Sequence, residues 1–201
     1  VSADDPVITF PDPGLDAAIR DAIGKPSGDI HQSDLDGLTS LDAHRTYDRR
    51  IINLTGLEHC INLTDLDLIG HQINDISALS GLTNLTSLYL YSNWISNISA
   101  LSGLTNLTFL SLQSNLVSNI SALSGLTNLN EIILGSNQIN DFSVLSGLAN
   151  LTRLNLDANQ INDISALSGF NNLTHLSLQG NQINDISALA YLTNLESLDL
   201  S

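Results

Sequence analysis

The stretch LTNLTSLYLYSNWISNISALSG, residues 82–103, decides the fold of this 201-residue chain. Its frame repeats every 22 residues, and further copies begin at Cys60 (degenerate), Leu104, Leu126, Leu148, Phe170 and Leu192 (a fragment). A fixed period of this length indicates an array in which each copy buries its apolar side against its neighbours. We therefore expect a solenoid.

Within each copy, leucines alternate with variable residues over a short segment. In residues 87–91 this alternation has the period of a β-strand with one buried face, so Leu88 and Leu90 should point inward. Leu85, Ile95 and Ile98 should fill the rest of the coil. Stacked coils then form columns of one repeated side-chain shape, which explains a chain that is 42% hydrophobic with only 4% aromatic residues.

The frame Leu-x-x-Leu-x-Leu-x-x-Asn-x-Ile is the leucine-rich repeat pattern, and with the following Asp-Ile-Ser-x-Leu it resembles the internalin-type repeats of bacteria. The resemblance covers residues 60–201 directly. It implies an α/β solenoid shaped as a horseshoe, with a parallel β-sheet on the concave face, 3₁₀ or other short turns on the convex face, and a helical N-terminal cap.

One asparagine column follows the predicted strands, where a buried carboxamide can satisfy backbone groups of two successive coils. We expect this structural ladder to comprise Asn93, Asn115, Asn137, Asn159 and Asn181. His71 takes the first place in the column. Farther along each repeat, residues such as Asp75 should cap the convex turn. Asn97 and Asn119 interrupt this acidic column, so capping explains it better than calcium binding.

The residues before the repeats are predicted to cover the first coil. Asp12-Pro13, followed by apolar residues at helical spacing, predicts a helix that ends near Gly24, and residues 30–35 predict a second short helical turn. We divide the chain into an N-terminal tail (1–9), a cap with an irregular first coil (10–59), and the repeats (60–201), of which the last is incomplete. The first coil needs about three extra residues within 43–50.

Charge excludes several classes of partner. The chain has 6 Lys and Arg against 21 Asp and Glu, a formal net charge of −15, which disfavours nucleic acid and anionic membrane surfaces. Five of the six Lys and Arg residues lie in the cap, namely Arg20, Lys25, Arg45, Arg49 and Arg50. The sixth is Arg153. We interpret this basic region of the cap as a solvated loop, with a second contact site as the alternative. No apolar run is long enough for membrane insertion.

The strand positions that face away from the core vary most between repeats. Because adjacent strands lie about 4.8 Å apart, their exposed aromatic and aliphatic residues can form one patch with an acidic margin at Asp65 and Asp67. Such a patch is typical of a partner-binding surface. The candidate partner-binding residues of the concave face are Asp67, Ile69, Tyr89, Tyr91, Trp94, Phe109, Leu116, Glu131, Ile133, Arg153 and His175. A cross-strand ion pair is an alternative explanation for Glu131 and Arg153.

Catalysis is not expected. His175 and Ser177 face the same side, but two residues along a strand separate them by about 7 Å, too far for a base to contact a nucleophile. His44, His59 and His71 fall near the cap at a spacing that is not typical of a metal site. We therefore predict no enzyme activity, no cofactor and no bound metal. The lone Cys60 falls in an aliphatic column and should be a buried thiol.

The sequence thus favours a protein-recognition module that binds a protein partner, such as a surface protein of a host or neighbouring cell. The alternatives are a glycan-binding module, with sugars stacked on Tyr89, Tyr91 and Trp94, and a passive spacer of a larger wall protein. Residues 1–5, VSADD, resemble the end of a signal-peptide cleavage site, so we expect a secreted or cell-surface protein. We also expect the natural chain to continue past Ser201.

Overall fold

The computed structural model describes residues 5–44 and 50–200. The helices are α1, Pro13–Ile23, and α2, Gln32–Leu35. The strands are β1 Val7–Ile8, β2 Ile30–His31, β3 Ser40–Asp42, β4 Asp65–Asp67, β5 Ser87–Tyr89, β6 Phe109–Ser111, β7 Glu131–Ile133, β8 Arg153–Asn155, β9 His175–Ser177 and β10 Ser197–Asp199. Each of the repeats thus contributes one three-residue strand.

Strands β3 to β10 form one parallel sheet of eight strands in sequence order. Equivalent residues lie directly opposite one another, as Leu88 lies opposite Leu66 and Leu110. A 3₁₀ turn follows each strand from β3 to β9 on the opposite side of the solenoid; these turns are Leu57–His59, Ser77–Leu79, Ser99–Gly103, Ser121–Leu123, Ser143–Gly147, Ser165–Gly169 and Ser187–Tyr191. This architecture confirms the predicted solenoid, its parallel sheet, its short convex turns and its helical cap.

The aliphatic columns form the core. Leu85, Leu88, Leu90 and Ile95 are all fully buried, and their equivalents in neighbouring coils are buried with them. Cys60 is also fully buried in its column. The interior of each coil is completed by its neighbours, as expected for an array of repeats.

The asparagine ladder joins the coils through hydrogen bonds on both sides. Asn115 Oδ1 accepts from the Ile95 N–H at 3.0 Å, and Asn115 Nδ2 donates to the carbonyls of Leu90 at 2.9 Å and Leu112 at 3.0 Å. Asn93, Asn137, Asn159 and Asn181 make the equivalent bonds. Each side chain therefore satisfies backbone groups of its own coil and of the preceding one.

His71 takes the place of a ladder asparagine and makes hydrogen bonds to backbone groups of the first coil. It is 4% exposed, its Nδ1 accepts from the Ile51 N–H at 3.1 Å, and its Nε2 lies 2.7 Å from the Ala43 carbonyl, to which it donates. These partners require the neutral tautomer with the proton on Nε2.

The first coil carries three extra residues. Ser40 lies opposite Asp65, 25 residues later, whereas Asp65 lies opposite Ser87 after 22. The bond from Ile51 to the ladder has the regular spacing, since both Ile51 and Ile73 donate to a side chain 20 residues later. The extra residues therefore fall between β3 and Ile51, where residues 45–49 lie outside the described part of the chain.

Asp12 fixes the cap to the repeats. Its Oδ1 accepts from the Gly14 and Leu15 N–H groups at the start of α1, at 2.8 and 3.1 Å. Its Oδ2 accepts from the Ile52 and Asn53 N–H groups at 2.8 and 3.0 Å. One buried carboxylate thus caps the helix and holds the first coil.

Part of the predicted N-terminal tail is regular structure. Residues 1–4 lie outside the described chain, but β1 pairs antiparallel with β2, and Ile8 is only 6% exposed. Ile8 therefore packs into the cap, and Val7, which is 50% exposed, takes part in the same strand pairing. Part of the predicted second helical turn, Ile30–His31, is the partner strand, and α2 begins after it.

On the convex side, Asp75 Oδ1 accepts from the Ser77 N–H at 2.8 Å, and Asn97 Oδ1 accepts from the Ser99 N–H at 2.9 Å. These contacts are the predicted caps of the 3₁₀ turns.

A second, exposed ladder was not predicted: Asn106 Nδ2 donates to the Thr83 carbonyl of the preceding coil at 2.8 Å, and equivalent asparagines repeat the contact. The Leu-Thr-Asn-Leu segment therefore has a structural role of its own.

We predict that Asn115→Ala lowers the free energy of unfolding by at least about 2 kcal/mol, because it leaves several buried backbone groups without partners. Asn106→Ala, in the exposed ladder, should cost no more than about 1 kcal/mol, because water can replace its bond. Urea denaturation of both variants measures the difference. Equal losses would contradict the role given to the buried ladder.

We also predict that Cys60 does not react in the folded protein. Burial raises the pKa of its thiol to about 12, with a smaller contribution from the Glu58 carboxylate, so almost no thiolate exists at neutral pH. Labelling with a thiol-specific disulfide reagent at pH 8 should be complete only in denaturant. Rapid labelling of the native protein would show that this column opens readily.

Candidate functional site

The register places the predicted outward columns side by side on the sheet. Phe109 lies between Ser87 and Glu131, and Tyr89 lies between Asp67 and Ser111. Their alternation with buried leucines puts these side chains on the concave face. The structure therefore brings the central candidates onto adjacent strands of one rigid sheet.

Tyr89 and Phe109 form an aromatic pair in the middle of this face. Their ring centroids are 4.7 Å apart and the rings are tilted by 34°. Both side chains are half-buried, and they occupy different outward columns. Ser111, beside Tyr89, is only 7% exposed, so the sheet surface next to the pair is covered by side chains. The pair presents a firm, partly apolar surface that the core does not require.

Three further apolar candidates lie past the strand ends. Tyr91 is 39%, Trp94 53% and Leu116 47% exposed. The Trp94 backbone is fixed, since its N–H donates to the Ile73 carbonyl at 2.9 Å. Across the described ranges, the aromatic ring contacts are Tyr89–Phe109 and Phe142–Phe170. Trp94 and Leu116 thus border the face at the turn and do not extend the ring pair directly. Ile69 and Ile133 are half-buried beside the central strands.

Glu131 and Arg153 lie directly opposite each other on β7 and β8, as expected. The ion pairs of residues 5–44 and 50–200 are Arg20–Asp16, Lys25–Asp34 and His44–Asp42, and they do not include Glu131–Arg153. The proposed cross-strand ion pair is therefore not formed, and exposed Arg153 keeps its charge available on the concave face. A surface pair contributes little free energy, so extended conformers compete with it.

The C-terminal part of the face carries a hydrogen-bond network that the repeat pattern does not predict. Asp157 Oδ1 accepts from the Ser177 hydroxyl at 2.5 Å and from the Gln179 N–H at 2.8 Å. Asn155 Nδ2 donates to Asp157 Oδ2 at 2.8 Å, and the Gln179 amide donates to Asp199. These side chains bond each other, so this end of the face is more self-contained than the aromatic end.

The enzyme geometry is not assembled at His175. Its Nδ1 lies 2.9 Å from the Thr174 hydroxyl, whereas the Ser177 hydroxyl is directed to Asp157. The two side chains therefore have separate partners.

The N-terminal end of the face is more acidic than predicted. Strand β3 places Asp42 directly opposite Asp67. The sequence did not predict this contact, because the spacing of the first coil is irregular. Partial burial raises the pKa of Asp67, and repulsion by Asp42 adds to the rise. His44 lies in the same place, with Nδ1 2.5 Å from Asp42 Oδ1, and this contact raises the pKa of His44.

The basic region of the cap is partly neutralised. Arg20 contacts Asp16 at 2.8 Å and Lys25 contacts Asp34 at 2.6 Å. Arg50 is exposed, while Arg45 and Arg49 lie outside the described residues. The two paired cations support the interpretation as a solvated surface more than a second contact site.

The three histidines near the cap, His44, His59 and His71, do not converge on one point in the described ranges. Both ring nitrogens of His71 contact backbone groups, so His71 has no nitrogen left for a metal. The potential metal-ligating groups that converge in the described ranges are Asp42, His44 and Asp67.

A parallel sheet of short strands, aliphatic columns and a buried asparagine ladder define a leucine-rich repeat protein. A family profile for leucine-rich repeats matches residues 83–126, 127–169 and 171–201. Among solved structures, the internalin InlC2 of Listeria monocytogenes is 36% identical over 100% of both chains with a TM-score of 0.76. The chain belongs to the internalin-type leucine-rich repeat family, whose fold is a non-catalytic interaction scaffold.

Two other solved structures are similar. The internalin InlF of Listeria monocytogenes is 38% identical with a TM-score of 0.90, over 94% of this chain and 56% of InlF. A leucine-rich repeat protein of Leptospira interrogans is 28% identical with a TM-score of 0.77, over 85% of this chain and 44% of that one. The chain thus spans little more than half of InlF.

No curated protein matches the sequence. Within the described ranges, the structure contains no helix of the length and apolar character that a membrane span requires.

Proposed function

We propose that this chain is a protein-recognition domain and that it binds a protein partner through the concave face. The aromatic pair Tyr89–Phe109 carries this proposal. It lies on a sheet whose backbone is fixed by coil-to-coil hydrogen bonds, so little conformational entropy is lost when a partner docks. Half-buried aromatic residues on rigid supports are typical of binding hot spots.

The surroundings of the pair favour a partner with a particular surface. Tyr91 and Trp94 add exposed apolar area on one side, and Asp65 and Asp67 add negative charge on another. From Ile51 to the end of the chain, Arg153 is the only Lys or Arg. A partner that presents apolar side chains flanked by positive or neutral groups would complement this face.

The other candidates extend the proposed face. Ile69 and Ile133 would widen its apolar centre, Leu116 would extend its border, and Glu131, Arg153 and His175 would supply polar contacts at its far side. We expect the far-side contacts to contribute less, because polar groups at the rim of an interface remain partly solvated.

The proposal places the domain on the outside of a bacterial cell, either secreted or attached to the surface. The similarity to internalins of Listeria and the acidic, repeat-built surface support this placement. A partner from a host or neighbouring cell would then meet the concave face directly.

A glycan partner is the second candidate. Trp94 and Tyr91 are sufficiently exposed for a sugar ring to stack on them. The faces of Tyr89 and Phe109 are partly covered by each other, which favours a protein partner at the centre. A passive spacer would bind neither.

We predict that Tyr89→Ser/Tyr91→Ser/Phe109→Ser abolishes binding to a partner found by probing protein and glycan arrays with the wild-type domain. Loss of two or more hot-spot side chains corresponds to at least about a hundredfold weaker affinity in biolayer interferometry. The melting temperature should fall by only a few degrees, because the pair contributes about 1 kcal/mol to stability.

The matched control is Tyr191→Ser, which removes an exposed tyrosine from a convex turn. It should bind as the wild type does. Full binding by the triple variant would show that the concave centre is not the contact surface, and a wild-type domain that captures glycans alone would favour the second candidate.

A further inference from the structure

A cluster of potential metal-ligating side chains, separate from the aromatic pair, lies at the N-terminal end of the concave face. One ligand atom each from Asp42, His44 and Asp67 lie within 4.8 Å of one another. We propose that this cluster binds one divalent transition-metal ion, with zinc as the probe.

The sheet register brings the three groups together. Asp42 and Asp67 lie directly opposite each other on the parallel strands β3 and β4, and His44 follows Asp42 by two residues. Like charges directly opposite on adjacent strands destabilise a sheet. A cation placed between the two carboxylates removes this repulsion and converts it into attraction.

The half-buried ligand is already oriented. Asp67 Oδ1 accepts from the Ile69 N–H at 2.9 Å, which holds the carboxylate and leaves Oδ2 for coordination. A ligating carboxylate is characteristically oriented by such an outer hydrogen bond.

The other two ligands can adjust to an ion. The side chains of Asp42 and His44 are 67% and 56% exposed, and their contact of 2.5 Å brings a ring nitrogen and a carboxylate oxygen to one point. A metal ion replaces this hydrogen bond when the side chains rotate to separate the two ligand atoms. Asp42 and His44 also line a cleft between α1 and β3, so these two ligands are accessible from solvent.

The donor set selects the class of metal. One imidazole nitrogen with two carboxylate oxygens is a combination that zinc accepts in tetrahedral sites. Calcium requires six to eight oxygen ligands, and magnesium retains water and prefers oxygen alone. Three protein ligands leave one zinc position open for water or for a group from a bound molecule.

The test is isothermal titration of the tag-free chain with zinc chloride, with calcium chloride titrated in parallel. We expect one zinc ion per chain and much weaker binding of calcium. His44→Ala and Asp67→Asn should each weaken zinc binding at least about tenfold. His59→Ala, which removes another histidine of the cap, should bind zinc as the wild type does.

Neither ligand variant should disturb the fold. His44 is exposed, and in Asp67→Asn the side-chain amide oxygen can still accept from the Ile69 N–H. Circular dichroism melts check this. The proposal is overturned if the wild type takes up no zinc, if His44→Ala binds zinc as tightly as the wild type, or if calcium binds as well as zinc and ignores His44. The titration contains no protein partner, so its result does not depend on whether the concave face binds one.

Discussion

The hydrogen bonds of the buried asparagine ladder are the interaction on which this structure depends. After each strand the chain turns sharply into the next side of the coil, and backbone groups of two coils meet where water cannot reach. A side-chain amide supplies both an acceptor and donors at this point, as Asn137 does for the Val117 N–H and the carbonyls of Leu112 and Leu134. Aliphatic columns alone would leave these groups unsatisfied.

The positions that maintain the scaffold differ from those that can vary between repeats. The ladder, the columns and the convex caps fix most positions of every repeat, so their residues recur. The outward strand positions are free of these demands, and there the chain places an aromatic pair, an acidic end and a hydrogen-bonded polar end. Aromatic side chains at Tyr89 and Phe109 stand out because the scaffold itself uses almost only aliphatic residues.

The periodic part of the structure could be predicted because period, alternation and ladder agree in the repeats that begin at Leu82, Leu104, Leu126, Leu148 and Phe170. The columns of the concave face followed from this register. The pairing of Asp42 with Asp67 could not be predicted, because three extra residues in the first coil break the 22-residue spacing. The Asp157 network and the lack of an ion pair between Glu131 and Arg153 depend on side-chain conformers, which a repeat pattern does not specify. Pairing of β1 with β2 needed a contact between two stretches too short to have a period.

Native-state hydrogen exchange tests the central role of the ladder most directly. The N–H groups of Ile73, Ile95, Val117 and Ile139 donate to ladder asparagines, whereas the Ser99 and Ser121 N–H groups donate to exposed convex caps. We predict that the ladder amides exchange only through global unfolding and that the convex amides exchange through local opening. Ladder amides that exchange as fast as the convex ones would contradict the account.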